Sequence, residues 1–295
     1  VREDLMEKAR LDREASQFDE VMPDRPTFSV VIPVHNNARC AARAIISALR
    51  QSMPVHEIIL VDDASCAAEF ARLARFVGNC RSQVPVRLER LLENVGAGLA
   101  RHRGANLASG THVAFLDADD VWHRHKIREV STAIVRDEAE LVGHRQPWKF
   151  KVTRADLASL PSSVRSRSLL QLHFLMLNPI LTSSIIVRTS IAREMFRLGG
   201  RKAEDYMALV IASRMARRMV FLEAPLAWAL KPPFGYAGEG ASILANYGGS
   251  AINMRLLYRV RVIGAVDLAI FFAFLAARVP IGLVRQVHYR ARYAR

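Results

Sequence analysis

Apolar runs of strand length alternate with amphipathic, helix-length stretches from residue 28 onward. Phe28 to Ile32 reads as a strand that Pro33 stops, and an amphipathic helix follows from about Arg39 to Arg50. Glu57 to Val61 is a second apolar run, short and rich in β-branched residues, ending in Asp62-Asp63. A helix is predicted over Ala67 to Val77 and a weaker strand over Val86 to Leu91. Asn94-Val95-Gly96 then leads into a helix from about Gly98 to Ala108. The strand His112 to Leu116 ends on Asp117-Ala118-Asp119-Asp120. Beyond it the pattern loosens. Residues 123–138 suit a helix and 140–180 carry no clear period. Thr182 to Val187 reads as a strand, Ala203 to Arg217 as a helix and Met219 to Glu223 as a short strand. Pro232-Pro233-Phe234-Gly235 and Gly238 to Gly240 mark a loop.

Strands and helices alternating over short connections predict an α/β fold with a mostly parallel sheet. In such sheets ligands bind beyond the carboxyl ends of the strands. Three polar clusters occupy such ends: His35-Asn36-Asn37, Asp62-Asp63, and Asp117 to Asp120. They are expected to converge on one crevice. Two carboxylates at i and i+2 beyond a strand can both reach a divalent cation, and oxygen ligands suit Mg²⁺ or Mn²⁺. The same acids would also suit a plain turn, and Asp62-Asp63 would serve as a helix cap. Taken singly, each cluster leaves both readings open.

Composition adds a charged, apolar tail. Hydrophobic residues make up 51% of the 295, which excludes a disordered chain. The formal net charge is +14, which points to an anionic partner: nucleic acid, an anionic membrane surface or a phosphorylated substrate. Half the excess lies in Ala251 to Arg295, with eight Arg against one acid, Asp267. That segment holds the tract Leu268 to Ala277, which is short for a spanning helix. It is read as lying in a membrane interface, with Arg255, Arg259, Arg261, Arg278, Arg285 and Arg290 meeting anionic headgroups. Packing on the catalytic domain is the other reading. The arginines sit beside apolar residues rather than in a recognition motif, so nucleic acid is not the expected partner. Cys40, Cys66 and Cys80 match no metal or CxxC spacing and are read as free thiols. Residues 1–25 are read as an extra surface helix rather than a signal peptide.

The segments VIPVHNN, EIILVDDAS, ENVGAGLARHRGANLASG and HVAFLDADDVW follow one another at spacings set by the intervening helices. As an ordered set they resemble the family 2 glycosyltransferases, closely over Phe28 to Trp122 and more weakly to about Met215. The resemblance implies the GT-A fold, a Rossmann-like sheet flanked by helices, here with a C-terminal amphipathic helical extension. It implies an N-terminal extension (1–25), a catalytic domain (26–240) and a basic membrane-associating tail (241–295). Within the catalytic domain, 26–122 would take the nucleotide sugar and metal, and 123–240 the acceptor.

Residue by residue, the resemblance implies a nucleotide held around Pro33, Val34 and Asn36, with Asp62 on the base and Asp63 beside it. Asn94, Gly96 and Arg101 would line the nucleotide side; the family's usual Asn after that Arg is His102 here. Asp117 would face ribose with Ala118 beside it, and Asp119, with Asp117, would ligate the metal. Glu204-Asp205 matches an acidic pair that opens a helix in the family. Asp205 is therefore the candidate general base and Glu204 the second. A first-turn position favours an acid through the helix dipole, which also lowers its pKa. The family's aromatic–basic–x–His motif has no His here; Lys231 or Tyr236 could stand near phosphate or acceptor, and Trp122 could pack by the donor or in the core.

The implied activity is inverting transfer from a nucleotide-diphosphate sugar, usually of uracil, to a hydroxyl of a glycan or lipid-linked acceptor. Its setting would be bacterial cell-surface polysaccharide synthesis, peripheral on the cytoplasmic face of the inner membrane. A nucleotide-sugar-binding homologue without turnover and a basic nucleic-acid-binding protein are the alternatives.

Overall fold

A computed structural model describes residues 25–149, 151–153, 156–157, 160, 163–176, 178–200, 202–230 and 243–293. The expected extension over 1–25 and the loop bearing Lys231 and Tyr236 lie essentially outside the described residues.

Four strands build the first half: β1 (Phe28–Val34), β2 (Glu57–Asp62), β3 (Val86–Arg90) and β4 (His112–Phe115). Three helices connect them: α1 (Ala38–Leu49), α2 (Ala67–Gly78) and α3 (Ala97–Leu107). The second half adds β5 (Asp120–Trp122), α4 (Lys126–Asp137), β6 (Leu141–Arg145), β7 (Ser166–Ser168) and α5 (Gln171–Met176). After a 3₁₀ turn at Thr182–Ser184 come β8 (Ile186–Arg188), α6 (Thr189–Met195), α7 (Glu204–Met215), β9 (Met219–Pro225) and β10 (Ala227–Ala229). Two helices follow, α8 (Ile243–Arg259) and α9 (Ala265–Tyr293).

Eight strands form one sheet in the order β3-β2-β1-β4-β8-β6-β9-β7, and β5 pairs with β10 in a separate ribbon. The pairs β1–β2, β1–β4, β2–β3 and β6–β9 are parallel; β8 and β7 run against their neighbours. The period of two sorts side chains onto two cores. Val31, Ile59, Val61, Val113 and Phe115 meet the side of α3, α6 and α7, while Val30, Ile32, Ile58, Leu60 and Ala114 meet α1 and α4. Gly104 lets α3 lie directly on β1, because a Cβ there would fall 2.3 Å from Val31 Cγ1.

Pro33 does not stop β1. The strand runs to Val34, with Pro33 opposite Val61. The Leu116 amide donates to the Val31 carbonyl, so odd-numbered residues of β1 turn their backbone groups toward β4. β4 has ended by the level of Pro33, so the missing N–H removes no ladder bond. The predicted strand over Thr182 to Val187 is instead a 3₁₀ turn followed by β8. The pattern-poor segment 140–180 holds β6, β7 and α5, and the ribbon strands β5 and β10 escaped the reading altogether. Cys40, Cys66 and Cys80 are free, as expected.

Candidate active site

Parallel register brings the polar clusters to one sheet edge. Val34 stands opposite Asp62, and Val31 opposite Phe115. The ends of β2 and β4 therefore flank the end of β1, two strand spacings or about 10 Å apart. Direct bonds tie the first two clusters together. His35 Nδ1 lies 2.7 Å from the Asp63 carbonyl, the Asn36 amide donates to Ser65 Oγ at 2.8 Å, and the Cys66 amide donates to Asn36 Oδ1 at 2.8 Å. Asn36 sits at φ 49°, a left-handed conformation that Asn tolerates. Pro33 and Val34 are buried, and the Val34 carbonyl accepts the Asp63 amide at 2.8 Å.

The two acids after β2 have different surroundings. Asp63 accepts the Val95 amide at 2.8 Å and the Gly96 amide at 2.9 Å, and its carbonyl accepts Asn94 Nδ2 at 3.3 Å. It holds the turn that launches α3, where Gly96 has φ 89°. Asp62 is fully buried; Oδ2 accepts the Ser65 amide at 3.2 Å and lies 3.6 Å from Arg90 Nε. Its Oδ1 is buried and makes no hydrogen bond to the described residues.

Beyond β4 the chain turns at Asp117–Asp120, closed by the Asp120 amide donating to the Asp117 carbonyl at 3.0 Å. Asp117 and Asp119 are half-buried; Ala118 and Asp120 are buried. Ser183, from the 3₁₀ turn, braces this segment. Its hydroxyl donates to Asp120 Oδ2 at 2.6 Å and accepts the Asp117 amide at 2.9 Å. Its carbonyl accepts Lys126 Nζ at 2.6 Å and Trp122 Nε1 at 3.0 Å. Burial, then Asp117 and Asp119, push Asp120 up to about 8, while burial holds Lys126 well below the usual lysine range. Trp122 is 1% exposed with Lys126 Nζ 3.7 Å above its ring, so it is a core residue. Nothing in the sequence marked Ser183, because its role arises from groups some 60 residues away.

Arg101 links the sheet edge to α7. Its guanidinium is nearly buried, donates to Asp117 Oδ1 at 2.6 Å and lies 3.5 Å from Glu204 Oε1. Arg101 Nε and Nη1 are buried without hydrogen-bond partners. Asp205 Oδ1 accepts the Tyr206 amide at 2.8 Å, and Oδ2 accepts Asn178 Nδ2 at 3.3 Å. The dipole argument predicted a lowered Asp205 pKa; the pKa is raised. Burial is the largest cause, and it outweighs the Tyr206 amide and Arg101, which pull downward. Ala203, at φ 52°, precedes the pair, and Asn253 of α8 donates to the carbonyls of Lys202 and Ala203 at 2.9 and 3.1 Å. Gly98 leaves room for Glu204, since a Cβ there would lie 2.9 Å from Glu204 Cγ.

Asp117, Arg101, Glu204 and Asp205 line a cavity of about 550 Å³. Its far wall is α8 and α9, which contribute Tyr247, Phe271, Phe274 and Arg278 among others. The apolar stretch of α9 continues through Pro280: Ala265–Val284 has a mean hydropathy of 1.9 and is long and apolar enough to cross a membrane. Its two charges both face the catalytic domain. Asp267 pairs with Arg214 at 2.6 Å, and Arg278 donates to the Met176 carbonyl at 3.3 Å. Val266, Ile281 and Val284 are exposed.

Among the described residues, no three His, Cys, Asp or Glu side chains gather closely enough to hold a cation by themselves. Asp117 and Asp119 offer two carboxylates, the set expected where phosphate oxygens and water complete the shell of Mg²⁺ or Mn²⁺.

A mostly parallel sheet with acids at its carboxyl edge and a helix-opening acidic pair across the cleft defines the GT-A class of transferase folds. The family model "Glycosyl transferase family 2" matches residues 29–196, and the chain belongs to that family. It is 30% identical over 232 residues to the amylovoran biosynthesis glycosyltransferase AmsB of Erwinia amylovora, covering 74% of each chain. It is 32% identical over 143 residues to the succinoglycan biosynthesis protein ExoO of Rhizobium meliloti, covering 46% of this chain and 40% of that one. The fold is similar to S. aureus TarS, solved in complex with UDP-GlcNAc: TM-score 0.64 at 18% identity, covering 85% of this chain and 72% of that one. It is also similar to the mannosyltransferase PcManGT from Pyrobaculum calidifontis, in complex with GDP-Man and Mn²⁺: TM-score 0.59 at 16% identity, covering 92% and 82%.

Proposed function

We propose that the protein transfers a sugar, with inversion, from a nucleotide-diphosphate sugar to a hydroxyl of a glycan or lipid-linked acceptor in bacterial cell-surface polysaccharide synthesis. The observation that supports this reading is that Asp117, Glu204 and Asp205 line one cleft with the buried Arg101, which pairs with Asp117 and Glu204. The names of AmsB and ExoO support the polysaccharide setting. The ligand of TarS favours a uracil nucleotide and that of PcManGT a guanine one, and uracil is the family's usual base.

Asp62 Oδ1 has the free acceptor capacity to take an N–H or O–H from the base or ribose. Asn36, Asp63, Asn94 and Gly96 shape that side of the cleft, with the backbone of Pro33 and Val34 beneath. Arg101, held by Asp117 and Glu204, sets positive charge in the wall of the cleft. Asp119, with Asp117, would hold Mg²⁺ or Mn²⁺, and such a cation, when bound, neutralises charge on the departing diphosphate. Asp205 takes the proton of the acceptor hydroxyl as its oxygen attacks the anomeric carbon and the bond to the diphosphate breaks. A base raised toward neutrality serves this better than an ordinary carboxylate, and such catalysis is worth roughly 10²–10⁴-fold. Glu204 anchors Arg101 beside it. The exposed apolar face of α9 and the exposed Arg255, Arg259 and Arg261 would rest on an anionic membrane surface, peripheral on the cytoplasmic face.

A thermal-shift panel of nucleoside diphosphates and sugar nucleotides, with and without Mn²⁺, tests the donor site. One diphosphate should stabilise the protein only with metal, and Asp119→Ala should abolish the effect. Stabilisation that survives Asp119→Ala unchanged would remove Asp119 from the metal site.

A further inference from the structure

A side chain makes the last rung between β4 and β8. The Phe115 amide donates to the Ile185 carbonyl at 3.1 Å, continuing the register of Ala114 with Ile186. In an antiparallel ladder the Asp117 amide, two residues on, would next meet the carbonyl of Ser183. That carbonyl is turned away: it accepts Lys126 Nζ at 2.6 Å and Trp122 Nε1 at 3.0 Å, both from buried side chains. The Ser183 hydroxyl takes its place. It accepts the Asp117 amide at 2.9 Å and donates to Asp120 Oδ2 at 2.6 Å, so one fully buried residue grips both ends of the turn Asp117–Asp120. The residues just before it, Leu181 and Thr182, line the cavity that Asp205 also lines. The 3₁₀ turn at Thr182–Ser184 therefore joins the acidic turn on one side to the cavity wall on the other. Two carboxylates hold a cation more tightly when their backbone is already ordered, because the entropy of ordering is then lost in folding and not in binding.

Resting on the reading of Asp117 and Asp119 as the metal carboxylates, we infer that Ser183 is a positioning residue for the cation: its hydroxyl, standing in for a carbonyl that Lys126 and Trp122 hold aside, presets the turn that carries both carboxylates. Ser183 touches neither the cation nor a substrate. It acts through the backbone of Asp117 and the side chain of Asp120, and Lys126 acts one step further back, through the Ser183 carbonyl. The same turn keeps the metal carboxylates in register with the cavity wall at Leu181 and Thr182.

The test is titration of Mn²⁺ into the full chain in the presence of UDP and, in parallel, of GDP, with free Mn²⁺ read by electron paramagnetic resonance. Ser183→Ala keeps the carbonyl and its two donors but removes the hydroxyl. It should weaken Mn²⁺ roughly tenfold, the lower end of the loss seen when a group that orients metal ligands is removed. Ser183→Thr, which keeps the hydroxyl and adds a methyl, should recover part of that loss. Ser184→Ala is the control for a merely structural role. Ser184 is as buried as Ser183 and lies in the same turn, and its hydroxyl donates to the Leu181 carbonyl at 2.7 Å, away from the acidic turn. It should lower stability to unfolding comparably and leave Mn²⁺ affinity unchanged. Lys126→Met approaches from the carbonyl side, with Trp122 Nε1 still bound there, and should also weaken Mn²⁺; it decides alone if Ser183→Ala does not fold. The inference is overturned if Mn²⁺ affinity is unchanged in the folded Ser183→Ala or Lys126→Met, or if Ser184→Ala weakens Mn²⁺ as much as Ser183→Ala does. Asp119→Ala, measured alongside, separates the two claims. Loss of Mn²⁺ binding in Asp119→Ala but not in Ser183→Ala refutes the inference alone, whereas wild-type binding by Asp119→Ala refutes the metal site and the inference with it.

Discussion

Replacing Arg101 with Met keeps the stem of the side chain and deletes its charge. Arg101 is 6% exposed and stands against Asp117 at 2.6 Å and Glu204 at 3.5 Å, with Asp205 within its field. Removing one member of a buried ion pair costs about 3–5 kcal/mol. Asp117 keeps 30% of its exposure and can rehydrate, which places the expected loss near the lower figure. The effect on chemistry is separate. Burial already raises the Asp205 pKa, and Arg101 is a cause that holds it down. Without Arg101 the carboxylate pKa rises further. The general base must be ionised, so the acid limb of kcat/KM should move to higher pH in Arg101→Met. Arg101→Lys restores a charge but not the planar fork, so it should return the acid limb toward wild type while leaving activity depressed. The assay is transfer, or slow hydrolysis, of the donor sugar from pH 5 to 9, with denaturant unfolding on the same samples. An acid limb that does not move, in a variant that remains folded, would refute the assignment of Asp205 as a base under the influence of Arg101.

Asn253→Ala removes one donor from each of the carbonyls of Lys202 and Ala203, while Ala203 keeps the Met207 amide. A loss of about 0.5–1.5 kcal/mol per lost bond in unfolding free energy is expected, with a lowered kcat because the Ala203 conformation opens the helix bearing Glu204 and Asp205. Burial, then Arg188, pushes His112 down to about 4, against about 6.5 in the unfolded chain. Between those values the unfolded chain binds a proton that the folded chain excludes. Stability therefore falls as pH drops through that window, by up to about 3 kcal/mol at its foot. His112→Phe should lose less stability than wild type between pH 7 and 4.5 in thermal unfolding; parallel curves would contradict this.

The first half of the fold was legible because β1, β2 and β4 are buried on both faces and α1 and α2 are amphipathic, so their periods show in the sequence. β5, β7, β8 and β10 have three residues each, too few to display a period of two. Thr182 to Ser184 was read as strand because local propensity cannot register the bonds Ser183 makes to the Asp117–Asp120 turn. The candidate acids were legible as motifs, yet their division of labour was not. Asp62 and Asp63 are neighbours in sequence, but only Asp63 is saturated by backbone amides. The dipole argument for Asp205 missed the sign because it took no account of burial under α7's surroundings. The inward aim of Asp267 and Arg278 depends on which face of α9 meets the domain, and a basic, apolar tail does not announce that.

Asp205→Asn tests the central claim most directly, because it removes the proposed base while preserving shape. With donor, metal and acceptor present, the variant should bind the nucleotide diphosphate within about twofold of wild type yet transfer sugar some 10²–10⁴-fold more slowly. Transfer at the wild-type rate by a folded Asp205→Asn enzyme would contradict the account, since the cleft between the sheet edge and α7 would then not be where the acceptor hydroxyl loses its proton.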